Sequence, residues 1–227
     1  LIGLVGSEMC IRDSGGTGSG KTSLINLIPR FYDVRQGEVL VDGVDVKEYP
    51  FSQLRGMIGI VPQKAVLFKG TIRHNMQWRD KNATDEDIWN VLDIAQAKDF
   101  VEKKPDKLDE MILQEGKNLS GGQRQRLTIA RALVGDPEIL ILDDSASALD
   151  LATDARLRKA IHEKTSGMTV FIVSQRISSI KSADKIIVLD DGKIAGIGTH
   201  SELYKGCEVY KEICLSQLSE KEAQANG

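Results

Sequence analysis

An α/β fold with a helical segment inserted into it is the architecture this sequence predicts, and three observations predict it. Gly15-Gly16-Thr17-Gly18-Ser19-Gly20-Lys21-Thr22 fits the phosphate-loop pattern G-x-x-x-x-G-K-[ST] and runs into an apolar helical stretch. The runs Ile139 to Leu142 and Val170 to Val173 have the length and composition of buried core strands, and the first ends in Asp143-Asp144. Between residues 71 and 136 the period becomes helical, with Ile88, Val91, Leu92 and Ala95 at helix spacing and no strand pattern.

Each element follows from its local chemistry. Lys21 to Ile28 reads as a helix opened by the glycine loop and closed by Pro29, which has no N–H to continue it. Glu38 to Val41 and Val44 to Val46 flank Asp42-Gly43, a two-residue hairpin signal. Met57 to Val61 is a short buried strand ended by Pro62-Gln63. Thr84 is the expected N-cap of a helix with Asp85, Glu86 and Asp87 in its first turn. After Ile139 to Asp143 come a helix near Thr153 to Glu163, the strand Thr169 to Ser174, and a hairpin of Lys185 to Leu189 with Lys193 to Ile197 turning at Asp191-Gly192. A polar helix over Cys207 to Glu222 closes the chain.

Composition excludes several classes. The 227 residues suffice for one large domain or a core plus a subdomain. Thirty basic and 33 acidic side chains leave a formal charge of -3, which argues against a nucleic-acid surface. Cys10, Cys207 and Cys214 lack metal-ligand or redox spacing, as expected of a reducing cytosol. No apolar run approaches the roughly 20 residues that span a bilayer, and Leu1 to Val5 lacks the basic flank and length of a secretory signal. A soluble chain is the expectation.

Residues without Cβ let successive backbone N–H groups face phosphate oxygens, and a helix N-terminus adds a favourable dipole. In such a loop Lys21 reaches the β- and γ-phosphates and Thr22 holds Mg²⁺. Leu119-Ser120-Gly121-Gly122-Gln123-Arg124-Gln125-Arg126 opens a second helix, where a serine hydroxyl and unpaired N–H groups make another anion site. Arg124 and Arg126 taken alone admit a reading as solvated helix charges. Ser147-Ala148-Leu149-Asp150 alone reads as a helix cap, whereas for Asp143-Asp144 an acidic loop after a core strand is only the bland alternative. His200 reads as a helix-start residue, and His74 and His162 as helix-surface residues.

Taken in this order, the phosphate loop, the Leu119 to Arg126 octet and the strand ending at Asp143-Asp144 resemble the ATP-binding domain of an ABC transporter over nearly the whole chain. The resemblance implies a RecA-like P-loop NTPase core at 15–70 and 137–206, with an antiparallel β part. It also implies an inserted helical subdomain at about 71–136 and a C-terminal helix at 207–222. ATP and Mg²⁺ are the implied cofactors, with Gly15 to Thr22 (Gly15, Gly16, Thr17, Gly18, Ser19, Gly20, Lys21, Thr22) and Ser23 on the nucleotide. Thr22, Gln63 and Asp143 correspond to the metal site, Gln63 lying where the family senses its membrane domain. Ser120, Gly121, Gly122 and Gln123 correspond to the signature that grips the γ-phosphate held by the opposite subunit. Ser147 to Asp150 matches the loop that contacts the partner domain, and Val66 to Ile72, Met57 to Gln63 and Ile28 to Asp33 resemble exporters in particular.

Three departures stand out. Asp144 occupies the position where the family carries a catalytic glutamate, and Gln175, in Ser174-Gln175-Arg176-Ile177, the position of its switch histidine. A carboxylate retracted by about 1 Å can cost roughly 10²-fold in rate, and glutamine cannot carry positive charge. The pair resembles the degenerate site of a heterodimeric exporter. Gly6 to Ser14 has neither strand alternation nor loop chemistry and resembles translated adapter sequence, so it is expected to overwrite native residues. The family's adenine-stacking aromatic lies upstream of the loop and has no counterpart here, as expected of a fragment.

The partners this implies are a second, non-identical ABC ATP-binding domain and a transmembrane domain upstream or on a separate chain, with no nucleic acid. The implied location is the cytoplasmic face of the cell membrane. The rivals are a soluble chromosome-maintenance or translation-type ABC ATPase, and a regulatory ATP-binding subunit without useful turnover. The chromosome-maintenance type would carry a long coiled coil between the phosphate loop and the signature, and no sustained heptads occur there; the translation type carries two such domains in one chain, and one is seen here.

Overall fold

Short apolar runs become strands and amphipathic runs become helices in the order the chain presents them. β1 (Glu8–Asp13) and α1 (Lys21–Ile25) lead into the hairpin β2 (Leu40–Val41) and β3 (Val44–Asp45), then α2 (Phe51–Met57) and β4 (Ile58–Val61). Next come β5 (Gly70–Thr71), α3 (Ile72–Gln77), α4 (Asp85–Ile94), α5 (Lys98–Glu102), β6 (Met111–Ile112) and α6 (Gly121–Leu133). β7 (Ile139–Asp143), α7 (Leu151–Lys164), β8 (Thr169–Val173) and α8 (Ile177–Ile180) follow. β9 (Lys185–Asp190), β10 (Lys193–Gly198), α9 (His200–Gly206) and α10 (Glu208–Ala225) end the chain. The computed structural model describes residues 8–13, 20–145, 147–164 and 167–225. It divides into one unit of Leu1–Leu54 with Thr169–Gly227 and another of Arg55–Met168.

In the first unit the strands run β10-β9-β1-β8. β1 is parallel to both neighbours, with Ile11 opposite Val173 on one side and Ile187 on the other. This corrects the expectation that Gly6 to Ser14 lacks strand character, since Glu8–Asp13 is an internal strand. An internal parallel strand is usually read from a continuous apolar run, and in β1 that run is interrupted by Glu8, Arg12 and Asp13. β8 is buried along its whole length and β9 over Ile186 to Leu189, so their apolar runs were legible. Both expected hairpins form, with Asp42 and Gly43 at φ 50° and 80° and Asp191 and Gly192 at φ 45° and 73°. α1 is shorter than the expected Lys21 to Ile28: the helix ends at Ile25, and the Phe31 N–H closes a turn on the Asn26 carbonyl at 3.0 Å. α10 is anchored by Tyr210, fully buried, with Ile213 and Cys214 also inside. The Tyr210 hydroxyl lies 2.8 Å from His200 Nδ1, and His200 begins α9 behind its Thr199 cap, as expected.

In the second unit β4 and β7 pair in parallel from Ile58 opposite Ile139 to Val61 opposite Leu142. Both strands therefore end on the same side, and the residues that follow them are brought together. Gly59 lets α6 press on this pair, because a Cβ there would stand 2.4 Å from the Ala132 carbonyl oxygen. Arg79 reaches three backbone carbonyls, Val134 at 2.6 Å, Ile58 at 2.9 Å and Gly56 at 2.8 Å. Thr84 and Asp87 form the reciprocal cap that the acidic first turn predicted. The stretch expected to be without strands contains β6, which pairs with β5. Two residues are too few to display a period. Buried Asn75 fixes the segment leading into β5: its amide donates to the Phe68 and Thr71 carbonyls at 2.9 and 3.0 Å and accepts from the Phe68 N–H at 2.9 Å. Among the described residues no helix is long and apolar enough to cross a membrane.

Candidate nucleotide site

The predicted site residues fall in both units. Gly15 to Ser19 lie outside the described residues. Gly20 caps α1 with φ 91°, a left-handed conformation natural to glycine, and Lys21, Thr22 and Ser23 form the first turn. Buried Ile25 and Ile28 hold this helix start in the core. Gln175 is exposed two residues beyond the end of β8. Its carbonyl accepts from Gln217 Nε2 at 2.6 Å, and the neighbouring Arg176 and Ile177 N–H groups donate to Ser174 Oγ at 3.1 Å and Gln217 Oε1 at 2.9 Å.

In the second unit the parallel pairing of β4 and β7 brings the loops after both strands together. Asp143 ends β7 with only 7% of its surface exposed. Asp144 follows with φ 43°, and its carbonyl is held by the Ser147 N–H at 3.2 Å and hydroxyl at 2.9 Å. Gln63, two residues past β4, donates from Nε2 to Asp144 Oδ2 at 3.3 Å. That bond uses the amide nitrogen, so the carbonyl oxygen is the atom of Gln63 able to serve a cation. Mg²⁺ takes oxygen ligands, commonly one or two carboxylates together with substrate phosphates. Asp143, Asp144 and Gln63 supply that donor class, so the residues fit the ion.

Ser120 opens α6 through a capping box, its hydroxyl accepting from the Gln123 N–H at 3.2 Å while Gln123 Oε1 accepts from the Ser120 N–H at 3.0 Å. A Cβ on Gly122 would lie 3.3 Å from the Ala148 carbonyl oxygen, so this turn abuts the loop from Asp144 to Asp150. That loop ends in a cap, as its sequence predicts: Asp150 accepts from the Thr153 N–H at 2.8 Å and hydroxyl at 2.7 Å. The Thr153 N–H, then its hydroxyl, holds the Asp150 carboxyl below the usual carboxylate range. Arg126 is not the solvated charge that composition allowed. It donates to the Gly122 and Gln96 carbonyls and lies over the Phe100 ring, and partial burial lowers its pKa. His74 and His162 are exposed on their helices. Gln217 was missed entirely: a glutamine in a polar helix 42 residues after Gln175 carries no signal.

A glycine-capped helix bearing Lys-Thr and an apolar parallel strand ending in paired aspartates are the marks of an α/β phosphate-loop domain. The sequence pattern of the ABC transporter family matches residues 13–147. The chain belongs to that family, as its ATP-binding domain. It is 46% identical over 206 residues to an ABC transporter ATP-binding protein of Mycobacterium tuberculosis, covering 89% of this chain and 35% of the relative. It is 41% identical over 210 residues to an ATP-dependent lipid A-core flippase of Hahella chejuensis, covering 92% and 36%. The solved structure of a bacterial Atm1-family ABC exporter with ATP bound superposes with a TM-score of 0.89 at 35% identity, covering 94% of this chain and 37% of that one. The fold is thus the RecA-like P-loop type. The chain spans about a third of the length of the relatives it matches.

Proposed function

We propose that this chain binds MgATP, pairs with a second, non-identical ABC ATP-binding domain, and couples nucleotide binding and hydrolysis to export by a transmembrane domain at the cytoplasmic face of a membrane. The observation that supports the reading is the Gln63–Asp144 hydrogen bond, which joins the loop after β4 to the carboxylate just past the end of β7. The flippase named above, and a relative from Staphylococcus aureus named as a putative multidrug export protein and 42% identical over 199 residues, support the direction of transport.

In this reading Gly20, Lys21, Thr22 and Ser23 bind the phosphates, while Thr22, Asp143 and Gln63 hold Mg²⁺. Bound there, the ion supplies neutralisation of phosphate charge. Asp144 orients water, but from a carboxylate one methylene short of glutamate and engaged by Gln63. Gln175 can donate a hydrogen bond but no positive charge. Hydrolysis at this chain's own phosphate loop is therefore weak, and Ser120 to Gln123 complete the partner's stronger site. A regulatory ATP-binding subunit is the second reading, favoured by the same Asp144 and Gln175.

The test is the ATPase rate of the assembled pair. Ser120→Arg should abolish it by filling the partner's γ-phosphate pocket, whereas Lys21→Ala should cost much less. Equal losses, or a stable and fully active homodimer, would overturn the asymmetric reading.

A further inference from the structure

Three consecutive residues after β8 each have one backbone group held by a side chain. The groups are the Gln175 carbonyl, the Arg176 N–H and the Ile177 N–H. The middle one is held locally, by buried Ser174. The outer two are held by a single distant amide: Gln217 donates to the Gln175 carbonyl at 2.6 Å and accepts from the Ile177 N–H at 2.9 Å. Ile177 is the first residue of α8, and its cap residue Arg176 makes no side-chain cap bond. Gln217 thus does from outside what an N-cap side chain does from within.

Gln217 is itself well placed to be rigid. Tyr210, Ile213 and Cys214 are buried on α10, and Gln217 continues their i, i+3, i+4, i+7 face. The tyrosine is further tied to His200 on α9. The helix anchored by these residues presents both ends of the half-buried Gln217 amide to one loop, a two-point attachment that fixes orientation as well as distance.

We infer that Gln217 is the positioning residue for Gln175, so that α10 sets where the switch-position side chain stands. The inference rests on the proposed reading only in taking Gln175 to respond to bound nucleotide; the attachment itself does not.

Two measurements on the full chain test it. Amide exchange at Ile177 should rise about tenfold in Gln217→Ala, the loss of one net hydrogen bond, while in Gln217→Glu, which keeps the acceptor but turns a carboxylate oxygen toward the Gln175 carbonyl, it should rise less. MgATP titration followed at the Gln175 side-chain amide resonance should give a clear shift in wild type. That shift should shrink by about half or more in both variants, because both lose the donor to the Gln175 carbonyl. ATP affinity should stay within about twofold, since neither variant touches the phosphate loop. A merely structural role would change affinity and melting together and leave the two variants alike in exchange. Unchanged exchange at Ile177 in the alanine variant, or an undiminished Gln175 shift in both variants, overturns the inference. If Gln217→Ala fails to fold, Gln217→Glu alone decides it by the Gln175 shift. If wild type binds no MgATP, the proposed function fails, and the exchange comparison still decides whether Gln217 holds the loop.

Discussion

Gln63 and Asp144 stand 81 residues apart in sequence, and the glutamine amide donates to the aspartate carboxylate at 3.3 Å. The parallel pairing of Val61 with Leu142 makes this contact possible, because it ends both strands on the same side. In the proposed function, the bond to Gln63 and a side chain one methylene shorter than glutamate both leave the Asp144 carboxylate less able to reach an attacking water.

Turnover should respond to restoring reach and charge. Asp144→Glu with Gln175→His is expected to raise the ATPase rate of the ATP-bound dimer by about tenfold or more, from carboxylate placement and an imidazole able to stabilise developing phosphate charge. A wild type that already turns over at ordinary enzyme rates, or a double variant no faster than it, would contradict this.

Gly59→Ala should destabilise the second unit by about 1–3 kcal/mol, because the new methyl group would meet the Ala132 carbonyl oxygen at 2.4 Å and the Pro137 ring at 3.2 Å. Neither neighbour is a flexible side-chain end. Urea unfolding checks it through the shift in midpoint.

Arg79→Met should cost about 2–4 kcal/mol, since it removes the donor from the Gly56, Ile58 and Val134 carbonyls at once. Arg79→Lys should rescue little, because a single ammonium lacks the planar fork that spans three acceptors. Full rescue by lysine in thermal melts would show that charge, not geometry, matters there.

Acid should loosen the helix starts. The carboxyls of Asp87, Asp150 and Glu202 lie below their ordinary values of 3.8, 3.8 and 4.5, each held down by Thr84, Thr153 or Thr199 at its own helix start. A lowered folded-state pKa stabilises the fold above the ordinary value and loses that contribution as pH falls through the lowered one. Melting temperature should therefore drop as pH falls below about 4, and the drop should be shallower in the Asp87→Asn, Asp150→Asn chain. Equal slopes in both proteins would exclude these caps as the cause.

What could be read ahead of the structure followed physical visibility. β8 and β9 were legible because burial demands apolar runs. The Thr84 helix start was legible because its cap and acids are adjacent in sequence. β1 was not, because Glu8, Arg12 and Asp13 break the apolar run that marks an internal strand. α2 and α8 passed unseen for want of length, at seven and four residues. Within the site, residue chemistry pointed to phosphate binding at Lys21 and Ser120, while Gln63 and Asp143 followed only from the family resemblance. The contacts that orient them, Gln63 to Asp144 and Gln217 to Gln175, join distant segments and leave no local trace.

The central claim is that this chain binds MgATP through its phosphate loop, and titration of MgATP into wild type and Lys21→Ala tests it most directly. Wild type should bind saturably, and Lys21→Ala should bind about 10- to 100-fold more weakly with an unchanged melting temperature, the loss of one charge-assisted phosphate contact. Equal affinity in the two proteins, or no binding by wild type, would contradict the account.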